Sequence, residues 1–218
     1  LQCLPGRYQD QEGRDKCIEC LKGQYRGASD NAIECISCES GKYQPKLAQA
    51  SCLECLPGRY QDQEGRDKCI GCLKGQYRGA SDNATECISC ESGKYQPKLA
   101  QASCLPCVPG TFSSTTGVTD CTQCPANRYQ FATNGIKCDD CPTGWTAPES
   151  STRCQMCSLG KFDKGGLCLT CPSGWKRASK DIILTRCQEC EPGQTTGGKG
   201  GSTTCEKCSL GQYHNVSQ

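Results

Sequence analysis

Residues 3–20 read Cys3-Leu4-Pro5-Gly6-Arg7-Tyr8-Gln9-Asp10-Gln11-Glu12-Gly13-Arg14-Asp15-Lys16-Cys17-Ile18-Glu19-Cys20, a phrase that returns with variation along the whole chain. With few lapses, each return opens on a cysteine, places Gly at the fourth position and an aromatic ring at the sixth, and closes on Cys-x-x-Cys, whose second cysteine opens the next. Pro-Gly after the opening cysteine suits a type II turn, because Pro fixes φ at the second turn position and Gly accepts a positive φ at the third. The short, mostly polar stretch that follows and the return toward Cys17 fit a two-stranded hairpin. Apolar residues never keep helical spacing for more than one turn, and Gly or Pro interrupts nearly every stretch, so almost no helix is expected.

The cysteines fall at 3 and then in twelve Cys-x-x-Cys pairs starting at 17, 35, 52, 69, 87, 104, 121, 138, 154, 168, 187 and 205, which accounts for all 25. Modules therefore open at Cys3, Cys20, Cys38, Cys55, Cys72, Cys90, Cys107, Cys124, Cys141, Cys157, Cys171, Cys190 and Cys208, in steps of 17 or 18 residues as far as Cys141 and 14 to 19 beyond it. All eight tyrosines occupy the sixth position, as do Phe112 and Phe162, whereas Trp145 and Trp175 sit one place earlier. A longer period overlies this one: residues 1–52 and 53–104 match except at Gln2/Glu54, Glu19/Gly71 and Ile33/Thr85, which reads as a recent tandem duplication. The expected organisation is a three-module block at 1–52, its near-identical copy at 53–104, two regular modules at 105–140, four diverged modules at 141–207, and the start of a truncated module at 208–218.

Leu, Ile, Val and Phe make up only 28 of the 218 residues, well under the roughly 20% below which a chain fails to bury enough apolar surface. Small secreted domains offset that deficit with cross-links, and 25 cysteines in 218 residues exceed the roughly 8–10% that marks the solution. An extracellular or cell-surface location follows. A disulfide closing a loop of about 15 residues is worth roughly 3 kcal/mol, against about 2–3 kcal/mol for burying one aromatic side chain, so the bond outweighs the ring within a module. The ring is expected to lie over a disulfide of its own or the adjoining module and to set the angle between them. If each module contacts only its neighbours, the array is an elongated rod of hairpin modules with little β and almost no helix.

Net charge is only +2, with basic and acidic residues interspersed, which offers no footprint for nucleic acid. The longest aliphatic run is Ile182-Ile183-Leu184, so no membrane span is expected in this segment, and the opening Leu1-Gln2-Cys3 reads as that of a mature or excised segment. Three disulfide arrangements are compatible with the spacing: each opening cysteine with the next closing one, the two cysteines within each Cys-x-x-Cys, or an overlapping ladder. Hairpin closure favours the first, and rings inside Cys-x-x-Cys would constrain the chain little.

The motif Cys-x-Pro-Gly-x-Tyr, then about ten residues, then Cys-x-x-Cys resembles the ephrin-receptor-like cysteine-rich repeat over essentially the whole chain. More distantly it is similar to the first subunit of tumour-necrosis-factor-receptor cysteine-rich modules. In those families opening and closing cysteines pair in sequence. The resemblance thus implies Cys3 with Cys17, Cys20 with Cys35, Cys38 with Cys52, Cys55 with Cys69, Cys72 with Cys87 and Cys90 with Cys104. It continues as Cys107 with Cys121, Cys124 with Cys138, Cys141 with Cys154, Cys157 with Cys168, Cys171 with Cys187 and Cys190 with Cys205, leaving Cys208 unpaired within the segment. Asn127 replaces the Gly of the eighth module, Thr195 replaces the aromatic of the twelfth, and no module carries an added third cysteine. Uninterrupted arrays of this repeat also resemble extracellular coat and fibre proteins of single-celled eukaryotes, including components of flagellar hairs.

Cys-x-x-Cys pairs about 14 residues apart also match a four-cysteine zinc site. Twelve pairs would need six zinc ions in a row, however, and the Gly and aromatic after each second cysteine belong to the disulfide repeat, so no metal is expected. Asn83-Ala84-Thr85 and Asn215-Val216-Ser217 are N-glycosylation sequons, the first created by Thr85 in place of Ile33. Ser/Thr clusters at 111–119, 150–152, 195–196 and 202–204 read as solvated turns. His214 is the one histidine, so a Ser-His-Asp or Cys-His site would have to be built around a residue in the truncated tail, and neither enzyme activity nor a cofactor is expected. The carboxylates of Asp10–Asp15 and Asp139-Asp140 lack calcium-loop spacing, and Gly197–Gly201 lacks the phosphate-loop pattern.

A near-exact block duplication lengthens an array without changing its cross-section. The sequence therefore points first to a structural extracellular protein, a glycosylated disulfide rod forming or decorating a fibre, surface appendage or cell coat, with N-linked glycans and copies of itself or other fibre or coat proteins as partners. The alternative is a receptor or adhesin ectodomain that binds a protein or glycan through its diverged modules, with Trp145 and Trp175 as interface anchors. The plainer reading of those tryptophans gives them the role of the tyrosines, displaced by one residue.

Overall fold

The computed structural model describes residues 2–180 and 184–212. Among these no helix occurs, and 24 strands, all but two of them two residues long, pair antiparallel into twelve separate hairpins. The return strand of eleven of the twelve hairpins is the dipeptide inside Cys-x-x-Cys. Arg7–Tyr8 pairs with Ile18–Glu19, Gln24–Tyr25 with Ile36–Ser37, and Lys42–Tyr43 with Leu53–Glu54. The fixed two-residue spacing thus has a structural reason: the first cysteine of the pair closes one hairpin, the next two residues are its second strand, and the second cysteine opens the following module.

The turn forms as the Pro-Gly dipeptide requires. Arg7 donates its N–H to the Leu4 carbonyl at 3.1 Å, and Gly6 stands at φ 80°. In the eighth module Asn127 takes φ 66° and the same turn bond persists from Arg128 to Pro125, because Asn tolerates the left-handed region.

Contacts divide the chain into two compact units, Leu1–Cys107 with Ser113–Cys121, and Val108–Phe112 with Thr122–Gln218. In the first unit the dry interior is the row of opening cysteines: Cys20, Cys38, Cys72, Cys90 and Cys107 are completely buried. The aromatic rings expected beside them are only half-buried. The side chain that goes inside is the one after the ring, at the seventh position: Arg26, Gln44, Gln61, Arg78 and Gln96 are 2–3% exposed. Strand alternation explains this, since successive residues face opposite ways.

Consecutive modules of this unit are joined by backbone. The N–H of the fourth residue donates to the carbonyl of the seventh residue one module on: Gly6 to Arg26 at 2.7 Å, Gly23 to Gln44 at 2.8 Å, Gly41 to Gln61 at 2.6 Å, Gly58 to Arg78 and Gly75 to Gln96 at 2.8 Å. Contact also reaches two modules ahead, contrary to the neighbour-only expectation. A Cβ added at Gly58 would stand 2.2 Å from the Ala100 carbonyl oxygen, and one at Gly75 would stand 2.0 Å from that of Gly117. Glycine at the fourth position thus serves both the turn and this approach.

The second unit repeats the scheme with local changes. Cys124 and Cys171 are completely buried, Ala147 and Arg177 occupy the seventh position at 1% and 2% exposure, and a Cβ at Gly160 would stand 2.0 Å from the Gly201 carbonyl oxygen. At two joints a side chain replaces the acceptor carbonyl: Gly144 donates to Asp163 Oδ2 at 3.0 Å and Gly174 to Thr196 Oγ1 at 2.9 Å. The shortest module has a longer hairpin, Lys161–Lys164 against Leu167–Thr170, closed by Gly165 at φ 64° and Gly166 at φ 83°. Two consecutive positive-φ residues are what a two-residue hairpin turn of the right twist demands.

The tryptophans do not take over the tyrosine role. Tyr8 stands opposite Ile18, the first residue of the return strand, whereas Trp145 stands opposite Met156 and Trp175 opposite Glu189, the second. One residue of displacement puts them on the other face of the hairpin.

Candidate functional site

The recurring site is the joint, where an opening cysteine carbonyl meets the seventh residue and the loop of the following module. From Cys3 to Cys90 the carbonyl is satisfied in one of two ways. Where the module that follows closes with a cysteine separation of 14, a loop N–H caps it: Ala48 to Cys20 at 2.9 Å, Gly65 to Cys38 and Ala100 to Cys72 at 2.8 Å, and Gly117 to Cys90 at 2.7 Å. Where the separation is 15, the seventh residue is Arg and its guanidinium does the capping. Arg26 Nη2 donates to the carbonyls of Cys3 at 2.7 Å and Leu4 at 2.8 Å, while Nε donates to Arg7 and Nη1 to Asp30. Arg78 repeats this with Nη2 to Cys55 at 2.6 Å, Nε to Arg59 and Nη1 to Asp82 at 3.1 Å. In the second unit Arg177 Nη1 reaches back to Cys157 at 3.0 Å, Ser158 at 3.2 Å and Lys161.

Glutamine at the seventh position works inside its own module. Gln44 donates Nε2 to the Ser51 carbonyl at 2.6 Å and accepts the Lys46 N–H on Oε1 at 3.1 Å. Gln61, Gln96 and Gln130 make the same pair of bonds, to Lys68 and Gln63, to Ser103 and Lys98, and to Lys137 and Ala132. The amide thereby ties the start of the loop to the residue just before the closing cysteine. A buried polar group is tolerable when its donors and acceptors are satisfied, and bonds from a charged donor contribute about 1.5–3 kcal/mol. This row of residues escaped the sequence reading. Its signal was present, since the seventh position is Gln, Arg, Ser, Ala, Asp or Thr in all twelve complete modules and never a large aliphatic.

The cysteines named from sequence stand as follows. Twelve disulfides join Cys3–Cys17, Cys20–Cys35, Cys38–Cys52, Cys55–Cys69, Cys72–Cys87 and Cys90–Cys104, then Cys107–Cys121, Cys124–Cys138, Cys141–Cys154, Cys157–Cys168, Cys171–Cys187 and Cys190–Cys205. Cys208 is free and half-buried. These sulfurs are bonded to one another, and among the described residues no group of three or more His, Cys, Asp or Glu side chains could hold a metal ion. Asn83 is exposed in the loop of the fifth module. Asn215 and His214 lie outside the described residues.

A series of small hairpins, each closed by its own disulfide and stacked through a repeated backbone joint, defines a tandem disulfide-rich repeat array. The family described as tyrosine-protein kinase ephrin type A/B receptor-like matches residues 23–68, 46–80, 79–120 and 110–152. These overlapping stretches span more than half of the chain, and the chain belongs to that family. It is a cysteine-rich repeat segment of extracellular type. No curated protein matches the chain, and no helix among the described residues is long and apolar enough to cross a membrane.

Proposed function

We propose that the chain is a structural element of an extracellular fibre, surface appendage or cell coat, an extended disulfide-stapled array whose partners are copies of itself or other fibre or coat proteins. The observation that carries this reading is the equivalence of joints in the two blocks. Arg26 and Arg78 hold three equivalent carbonyls, those of Cys3 and Cys55, Arg7 and Arg59, and Asp30 and Asp82, and Gly23 and Gly75 make the same bond to Gln44 and Gln96. A block can thus be added without any new kind of contact, which suits a spacer and offers nothing to a single ligand epitope. The test is a chain with a third copy of residues 1–52 inserted after residue 104, imaged by negative stain beside the parent. Particles that lengthen by the same increment per block at unchanged width are expected. Particles that stay compact in both would refute the proposal.

A receptor or adhesin ectodomain is the second reading, favoured by the position of the tryptophans. Both lie on the hairpin face opposite to that of the tyrosines, and Trp175 is 37% exposed. Large exposed aromatics are common interface anchors. Replacing Trp145 and Trp175 by Phe would weaken capture of a cell-surface protein or glycan at least tenfold under this reading, measured as retention on whole cells, and would leave it unchanged under the first.

A further inference from the structure

The two blocks differ at three positions, and one difference, Thr85 for Ile33, creates the sequon Asn83-Ala84-Thr85 in a loop that the first block also has. The structure gives that loop a definite place. Asn83 is exposed, and its Oδ1 accepts the Thr85 N–H at 3.1 Å. Among the described residues no hydrogen bond engages its Nδ2. The next residue anchors the loop to both preceding modules. The Ala84 carbonyl accepts the Gln61 N–H at 3.0 Å, and a Cβ at Gly41 would come within 3.0 Å of the Ala84 Cβ. The loop of the fifth module therefore lies across the junction of the two blocks. A groove of about 180 Å³ opens there, lined by Gly41, Lys42, Glu54, Arg78, Asp82 and Ala84, so that both chain neighbours of Asn83 form part of its wall.

We propose that Asn83 carries an N-linked glycan that covers this groove, a mark the first block lacks because Ile33 stands where Thr85 is required. The proposal rests on the extracellular placement of the chain, which brings it past the enzyme and donor of the secretory pathway. In the transfer, Asn83 Nδ2 forms a bond to C1 of an oligosaccharide carried on a lipid pyrophosphate. The C1–O bond breaks, the pyrophosphate leaves with the electron pair, and Nδ2 gives up one proton. A bulky, hydrated group at this rim blocks the groove at the junction of the two blocks and leaves the equivalent surface around Lys94 bare.

The duplication supplies an internal control. Lys42 and Lys94 are equivalent residues, each 41% exposed and each beside a glutamate three positions earlier, at 3.4 Å for Glu39 and 3.2 Å for Glu91. Only Lys42 lies in the groove beside the sequon. The chain secreted from a eukaryotic cell is digested and mapped site by site, with and without a peptide amidase that leaves aspartate where a glycan was attached. Conversion at residue 83 is expected. Thr85→Ile should abolish it, and Ile33→Thr should install a second glycan at Asn31, in a loop that already accommodates either residue. Lys42 should acylate several-fold more slowly than Lys94 in the parent, and the two rates should become equal in Thr85→Ile. A secreted, fully oxidised chain with unmodified Asn83 would overturn the proposal while leaving the extracellular reading intact. A retained chain with free thiols would overturn both. Equal acylation of the two lysines in the glycosylated parent would overturn the covering role.

Discussion

Arg78 binds the carbonyls of Cys55, Arg59 and Asp82 from a position 2% exposed, and its own carbonyl accepts the Gly58 N–H. Truncation to alanine leaves one buried carbonyl, that of Cys55, and two half-buried ones without this donor, a buried loss being worth about 1–3 kcal/mol. Arg78→Ala is therefore expected to destabilise the joint by about 2–5 kcal/mol, read as faster hydrogen exchange at the Gly58 amide. Arg78→Lys should recover only part of this, because an ammonium cannot span the three carbonyls that the planar fork reaches. Unchanged exchange at Gly58 in the alanine variant would refute the capping role. A second pair of variants separates the two demands on the fourth position. Gly58 at φ 80° faces the Ala100 carbonyl, whereas Gly193 at φ 81° has nothing within 4 Å of a Cβ. Gly193→Ala should cost about 1–2 kcal/mol for the left-handed backbone alone, and Gly58→Ala about 1–3 kcal/mol more for the overlap, measured by denaturant titration with the disulfides intact. Equal losses would mean that the two-ahead contact carries no weight. Cysteine and the turn role of glycine were readable from the sequence, because a returning cysteine and Pro-Gly each point to one local structure; the second demand on the glycine, the two-ahead approach, was not. The seventh residue was not, since Gln and Arg in a polar stretch look solvated, and only the three-dimensional joint brings their backbone partners to them.

The hairpin was legible for a different reason: Pro-Gly, one ring and a returning cysteine leave little else for a 14-residue loop to do. What could not be read was that the two residues inside Cys-x-x-Cys form the second strand, a fact that fixes register and sends Trp145 to the opposite face from Tyr8. Nor did the motif disclose that loops reach back over two modules, because contact at a separation of 42 residues, as between Gly75 and Gly117, leaves no local signature. This reach sets how damage spreads. Replacing Cys72 and Cys87 together by Ser removes a loop constraint worth roughly 3 kcal/mol. Hydrogen exchange should accelerate at Gly93, one module on, and also at Gly117, two modules on, while Gly160 in the other unit keeps its protection. A Gly117 amide that exchanges as slowly as before would show that the modules couple only to their neighbours.

At the scale of the whole molecule, the near-identity of the blocks makes a strict prediction about excision. Removing residues 53–104 joins Cys52 to Leu105, so Tyr43 meets Leu105 as Tyr95 now does, and Gly41 faces Ser113 as Gly93 now does. Two modules back, Gly23 comes to lie against Gly117 in the place of Gly75. Every contact created at the new junction already exists in the parent, because the residues brought together are copies of those removed. Stability in such arrays is a sum over modules and the joints between them, so the shortened chain loses three modules and their joints and nothing else. It should oxidise to the parental disulfides less the three of the excised block, with Cys208 still free, and its Gly23 amide should show the protection that Gly75 has in the parent. Peptide mapping of the disulfides and exchange at Gly23 check both. Removal of residues 20–71, which is also 52 residues long but cuts in the middle of a block, should behave identically, since it too replaces each joint by its copy. Scrambled disulfides in either chain would mean that the joints carry block-specific information, and the case for an extendable spacer would lose its physical basis.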